Sequence, residues 1–178
     1  MTFKEVYEQT KDIPGWLGEP DSKVLYDYAS KIENGLIVEI GSYSGKSTKI
    51  LALASPSSRV ITIDSFVLGN PDIIKKQFHE SVEGLNVTLL EMDSKDVGAD
   101  WSEPIDLLVV DGDHSYEAVK QDIDLFAPHV LAGKFSLFHD YTITEKGYGV
   151  DEAVDELSED YFSLVKVVSG FAVCRRKK

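Results

Sequence analysis

Cysteine is all but missing: Cys174 is the single one in 178 residues, so no intrachain disulfide can form. It sits in an apolar, strand-like run, which reads as packing rather than reactivity. Basic residues are scarce as well, with 18 Lys and Arg against 31 Asp and Glu and a net charge of −13. A duplex nucleic-acid binder carries a basic face, and a protein that docks on an anionic membrane needs one too. Both partner classes are therefore set aside, and the acidity reads as solubility. No apolar run approaches the roughly 20 residues of a membrane span. The opening residues, MTFKEVYEQTKD, are polar and do not form a secretory signal, so a cytoplasmic protein is expected. Internal repeats and low-complexity linkers are absent. What is present suits one domain over residues 1–178: 43% of the residues are hydrophobic, enough for a buried core.

The chain is organised around IVEIGSYSGKST, residues 37–48. An apolar run containing one acid, Glu39, turns through Gly41 and Gly45 into a helix with apolar positions at Ile50, Leu51 and Ala54. Strand, glycine turn and helix start make the first turn of a nucleotide-binding βαβ unit. The glycines are expected to let the backbone approach a ligand, and the helix N-terminus to offer it free N–H groups. A P-loop requires glycine where Ile40 stands, and the dinucleotide pattern G-x-G-x-x-G is not met. A nucleoside carrying positive charge is the third option, and Glu39 favours it, since an acid in the turn repels phosphates and attracts a cation.

Strand and helix patterns alternate along the rest of the chain. Residues 59–64, 86–91, 104–111 and 134–139 read as further buried strands. Helical spacing recurs over 21–32, after Asn70-Pro71, over 116–126 and over 148–157 with Val150, Val154 and Leu157 inward. Ser169-Gly170 between two strand-like runs is a hairpin signal. This predicts an α/β fold with a mainly parallel, doubly wound sheet, helices on both faces and an antiparallel C-terminal hairpin, seven strands in all. Residues 1–34 form N-terminal helices, 35–141 the binding core, and 142–178 a last helix and the hairpin. Trp16 and Leu17 either cap the cleft or pack a lid onto the sheet. His79 reads as a solvated surface histidine. Ligands bind such sheets beyond the strand carboxyl ends, and Glu39, Asp64, Asp93, Asp111 and Asp140 all fall there. Asp64 lies about 20 residues beyond the turn, where an acid accepts hydrogen bonds from ribose hydroxyls.

EIGSYSGKST resembles motif I of the class I S-adenosylmethionine-dependent methyltransferases, whose fold is Rossmann-like. The stretch DLLVVDGDHSYEAV, continued to FHDY, resembles a small branch that includes the cephalosporin hydroxylase-like and macrocin O-methyltransferase proteins, and more distantly catechol O-methyltransferase. The likeness runs from about residue 13 to residue 141. It implies that Glu39 faces the methionine part of the cofactor, that Gly41, Ser42, Tyr43, Gly45 and Ser47 form the turn beneath it, and that Asp64 and Ser65 meet the ribose. Asp93 and Ser94 correspond to the group holding the adenine amino group. In the metal-dependent relatives the positions of Asp111, His139 and Asp140 hold a divalent ion such as magnesium or manganese, so Asp111 is a cofactor, metal or catalytic residue. His139 stands where the magnesium enzymes carry an oxygen ligand. That shifts preference towards manganese, iron or zinc, or leaves His139 to the chemistry without a metal. Asp113 is a second ligand candidate or a helix cap. His114 occupies the place of a lysine in the catechol-type enzymes and is the candidate base.

The resemblance implies methyl transfer from S-adenosylmethionine to a small-molecule acceptor, most readily a hydroxyl oxygen. Two rivals remain at this stage: a metal-dependent hydrolase using the Asp and His cluster, which leaves Glu39 and Asp64 unexplained, and a non-catalytic nucleotide-binding protein. Little inserted sequence is available for a substrate domain. The acceptor therefore sits under the N-terminal segment or against a neighbouring subunit of a homo-oligomer.

Overall fold

The computed structural model describes residues 1–156 and 160–178. The strands are β1 (Leu36–Ile40), β2 (Arg59–Ile63), β3 (Val87–Leu90), β4 (Ile105–Val110), β5 (Val130–Phe138), β6 (Phe162–Val168) and β7 (Phe171–Arg176). They form one seven-stranded sheet in the order β3-β2-β1-β4-β5-β7-β6. Pairing is parallel from β3 across to β5, and β7 runs antiparallel to both β5 and β6. This is the Rossmann-like methyltransferase architecture expected above. The helices are α1 (Phe3–Thr10), α2 (Glu19–Ala29), α3 (Lys46–Ala54), α4 (Pro71–Val82), α5 (Ser94–Ala99), α6 (Tyr116–Phe126) and α7 (Val150–Tyr161). Among the described residues, no helix is long and apolar enough to cross a membrane.

Side-chain alternation sorts the central strands onto two helical layers. Leu36, Val38 and Ile40 of β1 join Leu108 and Val110 of β4 against Val119, Ile123 and Phe126 of α6 and Val150 and Val154 of α7. Ile37, Leu107 and Val109 point the other way, onto Val6, Leu25, Ile50 and Leu51 of α1, α2 and α3. A smaller cluster of Phe66, Ile74 and Phe78 seats α4. Leu25 and Ile37 are fully buried, and truncating either to alanine costs about 2–5 kcal/mol. Local signals start the helices where the sequence places them. Thr2 and Glu5 close a capping box on α1, Asn70 accepts from Ile73 N–H at α4, and Ser115 accepts from Ala118 N–H at α6.

Ser169 and Gly170, at φ 49° and 77°, make the expected hairpin turn. Cys174 is buried, and burial pushes its thiol up to about 12, in keeping with a packing role. His79 is exposed and meets the edge of Phe78. Two features differ from the sequence expectation. The strand β5 begins at Val130 rather than Lys134 and runs through Gly133, because a glycine read as a stop is accommodated there beside a register shift opposite β4. The helix α5 was not expected, since six residues are too few to show a helical period. Leu157, expected on the inner face of α7, lies outside the described residues.

Candidate active site

The carboxyl ends of β1 to β5 open into one cavity of about 1360 Å³, walled also by residues 14–17 and 142–148. That exceeds the roughly 300–1,000 Å³ of an ordinary small-molecule pocket, so a cofactor and a second molecule fit together.

The turn after β1 forms one wall. Gly41 takes φ 87°, and a Cβ there would lie 2.1 Å from the carbonyl oxygen of Asp111. Gly45 takes φ 85°, and a Cβ there would lie 2.2 Å from Ser81 Oγ. The two glycines make room for neighbouring protein, the segment after β4 in one case and α4 in the other, a need that the sequence did not reveal. Gly45 is not on the cavity wall, whereas Gly41, Ser42, Tyr43 and Ser47 are. Asp64 holds the turn in shape. Its Oδ2 accepts the backbone N–H groups of Ser42 and Tyr43, both at 2.8 Å, and its Oδ1 accepts Phe66 N–H at 2.7 Å. The Ser42 hydroxyl also reaches Oδ2, at 3.3 Å, whereas Oδ1 carries a single bond and so retains capacity for a ligand hydroxyl. Ser65 lies beside it on the wall. Trp16 is 72% exposed, stands at the wall, and meets the Tyr43 ring at 4.9 Å, while Leu17 is buried in the core.

Glu39 is not on this wall. Two residues after Ile37, it shares that residue's face and points towards α3, fully buried. Its Oε2 accepts the hydroxyls of Thr48 and Thr62 at 2.5 and 2.7 Å, while Oε1 has no partner. Burial pushes the carboxyl up to about 7 against the pull of the Ser47, Thr48 and Thr62 hydroxyls, and the charge of Asp111 adds to the rise. The sequence placed Glu39 against the cofactor; the structure places it behind the turn.

Beyond β3, Asp93 caps α5 by accepting Lys95 N–H at 3.0 Å. Ser94 donates to Asp122 Oδ1 at 2.6 Å. All three residues reach the wall. Asp122 was not singled out from the sequence, although a signal existed: it lies three residues after Val119 and four before Phe126, on the buried stripe of α6.

Beyond β4 and β5 stands the expected acidic and histidine cluster. His139 Nδ1 lies 3.0 Å from Asp111 Oδ1 and 3.3 Å from Asp140 Oδ1. His114 Nε2 lies 3.1 Å from Asp140 Oδ2 and 3.6 Å from Asp111 Oδ1, yet it makes no aligned hydrogen bond. The His114 ring stacks on Tyr148 at 5.1 Å, a contact invisible in the sequence. Burial opposes the charge on Asp111, but His114 and His139 overcome it and hold the carboxyl below its usual range. Asp111 in turn raises His114 against its burial; His139 is raised too, burial being outweighed by Asp111, Asp140 and Asp21. Asp113 accepts Ser115 N–H at 2.8 Å, which assigns it to the loop before α6.

One nitrogen and two carboxylate oxygens from Asp111, His139 and Asp140 lie within 4.8 Å of one another. Neighbouring ligands of an octahedral ion with bonds near 2.1 Å are about 3 Å apart, which the His139 to Asp111 distance matches. The donor set therefore fits a divalent ion. The cavity's many acids fit a cofactor of net positive charge.

Comparison with known proteins agrees with the fold. An uncharacterized protein of Acanthamoeba polyphaga mimivirus, R132, is 28% identical over 130 residues, 69% of this chain and 59% of the relative, so the chain spans about three-fifths of that relative's length. The solved Podospora anserina methyltransferase PaMTH1, with S-adenosylhomocysteine bound, superposes with a TM-score of 0.73 at 17% identity, covering 99% of this chain and 88% of that one. CalS11, a TDP-rhamnose 3'-O-methyltransferase of calicheamicin biosynthesis, superposes with a TM-score of 0.65 at 16% identity, covering 97% and 92%. Residues 38–141, more than half of the chain, match the family model described as a methyltransferase domain, and the chain belongs to that family of class I methyltransferases.

Proposed function

We propose that this methyltransferase moves a methyl group from S-adenosylmethionine to a hydroxyl oxygen of a small molecule. The observation that carries the reading is the meeting, in one cavity, of the Asp64-braced turn with the His114, Asp111, His139 and Asp140 cluster. The cofactor supplies a methyl made electrophilic by its sulfonium. The protein has to align the acceptor oxygen with that methyl and remove its proton. Asp64, with Ser65 beside it, accepts the ribose hydroxyls, and Ser42, Tyr43 and Ser47 bound the methionine end. His114 is the base: Tyr148 stacks on its ring and Asp140 Oδ2 stands 3.1 Å from Nε2, which holds the ring over the cluster, and it takes the acceptor's proton in its neutral form, which Asp111 shifts to higher pH. His114 would take the hydroxyl proton as the acceptor oxygen receives the methyl.

Asp111, His139 and Asp140 would hold a divalent ion, magnesium or manganese, which lowers the pKa of a bound hydroxyl. CalS11, which by its name methylates a sugar oxygen, supports an oxygen acceptor on this fold. The net charge of −13 speaks for a small-molecule partner over nucleic acid or membrane. Methyl-labelled S-adenosylmethionine, incubated with sugars, phenols and other hydroxylated molecules with and without chelator, tests the reading. Label transferred to oxygen supports it. Normal cofactor binding with no transfer to any acceptor class contradicts it.

A further inference from the structure

Taking S-adenosylmethionine as the cofactor, we propose that Asp122 on α6, and not Asp93, reads the adenine edge. A pocket selective for adenine needs an acceptor for the 6-amino group and a donor for N1. Asp93 is exposed to solvent, which competes for its carboxylate, and it caps α5 by accepting Lys95 N–H at 3.0 Å. Asp122 is 2% exposed, lines the cavity, and receives the Ser94 hydroxyl on Oδ1 at 2.6 Å. Its Oδ2 makes no hydrogen bond among the described residues.

A buried acid normally has a cationic partner, and Asp122 has none among the described residues. Burial, with the charges of Asp93 and Asp113, pushes its carboxyl up to about 7 against the Ser94 bond. Near neutral pH a large share of the molecules therefore carry a neutral carboxyl. Such a group presents one carbonyl acceptor and one O–H donor side by side, the complement of the adenine 6-amino group and N1. A purely structural role, tying α5 to α6, is weakly motivated. Gly98 already packs α5 against Leu125 and Phe126 so closely that a Cβ there would come within 2.8–2.9 Å of them.

The test is calorimetric and needs no acceptor. Wild-type protein is titrated with S-adenosylhomocysteine and with its analogue lacking the 6-amino group. A preference of roughly 10- to 100-fold for the amino form is expected, the range for one buried hydrogen bond to a polar partner. Asp122→Asn keeps the preference, because its amide offers the same acceptor and donor pair. Asp122→Leu abolishes it, and Asp122→Ala does so should the leucine variant fail to fold. Asp93→Ser, which retains a capping oxygen but no carboxylate, leaves the preference as in the wild type. Preference surviving in Asp122→Leu or Asp122→Ala, lost in Asp122→Asn, or lost in Asp93→Ser overturns the assignment. Absence of any preference in the wild type overturns it too. Failure of the wild type to bind S-adenosylhomocysteine at all is a different result, since it strikes the cofactor reading itself.

Discussion

Glu39→Gln isolates what it costs to keep one acid inside the sheet. The folded protein raises this carboxyl from 4.5 to about 7, chiefly by burial. Folded chains therefore hold a proton that unfolded chains release in the same pH range. Below about pH 4.5 both forms are protonated and the group costs nothing. Stability falls as pH rises from there to about 7, and above that the full penalty of about 3 kcal/mol applies. Glutamine keeps an oxygen for the Thr48 and Thr62 hydroxyls and carries no charge. Urea unfolding of the ligand-free protein should find the variant more stable than wild type by about 1 kcal/mol at pH 5 and about 3 kcal/mol at pH 8. Asp122, also raised to about 7, contributes alike to both proteins and cancels in the difference. A difference that stays flat with pH, or a variant less stable at pH 8, would refute the reasoning and mean that Glu39 is ionised and well paired.

Gly41→Ala puts a Cβ 2.1 Å from the Asp111 carbonyl oxygen at a positive φ, so it should cost more than about 2 kcal/mol; a melting temperature within a degree of wild type would contradict this. Asp64→Ala leaves the N–H groups of Ser42 and Tyr43 without their acceptor and should weaken S-adenosylhomocysteine binding by about 1.5–3 kcal/mol; unchanged affinity in calorimetry would remove Asp64 from the site. His114→Ala should lower turnover by roughly 10²–10⁴ with cofactor affinity nearly intact, and turnover within a few-fold of wild type would end its assignment as base. Manganese should bind the wild-type protein and bind Asp140→Asn at least roughly tenfold more weakly; equal binding would leave Asp111, His139 and Asp140 as an ion-pair network.

Much of this was legible in the sequence because both sheet faces are covered. Continuous apolar runs such as LIVEI then mark central strands, and the residues after them mark the cleft. That logic brought Asp64, Asp111, His114, His139 and Asp140 to one place. It failed where a residue's direction mattered more than its position. Glu39 sits one residue before the strand end, and alternation turns it behind the turn instead of into the cavity. The glycines of the turn were read for a ligand, while Asp111 and Ser81 are what crowd them. Asp122 and Tyr148 were missed because each gains its setting from a partner distant in sequence, Ser94 in one case and His114 in the other. Boundaries slipped at β5, where Gly133 is carried within the strand.

Calorimetric titration of the purified chain with S-adenosylhomocysteine, set against NAD and ATP, tests the functional account most directly. One S-adenosylhomocysteine per chain, bound more tightly than either rival and weakened by Asp64→Ala, is the predicted result. No binding, or tighter binding of NAD or ATP, would contradict it.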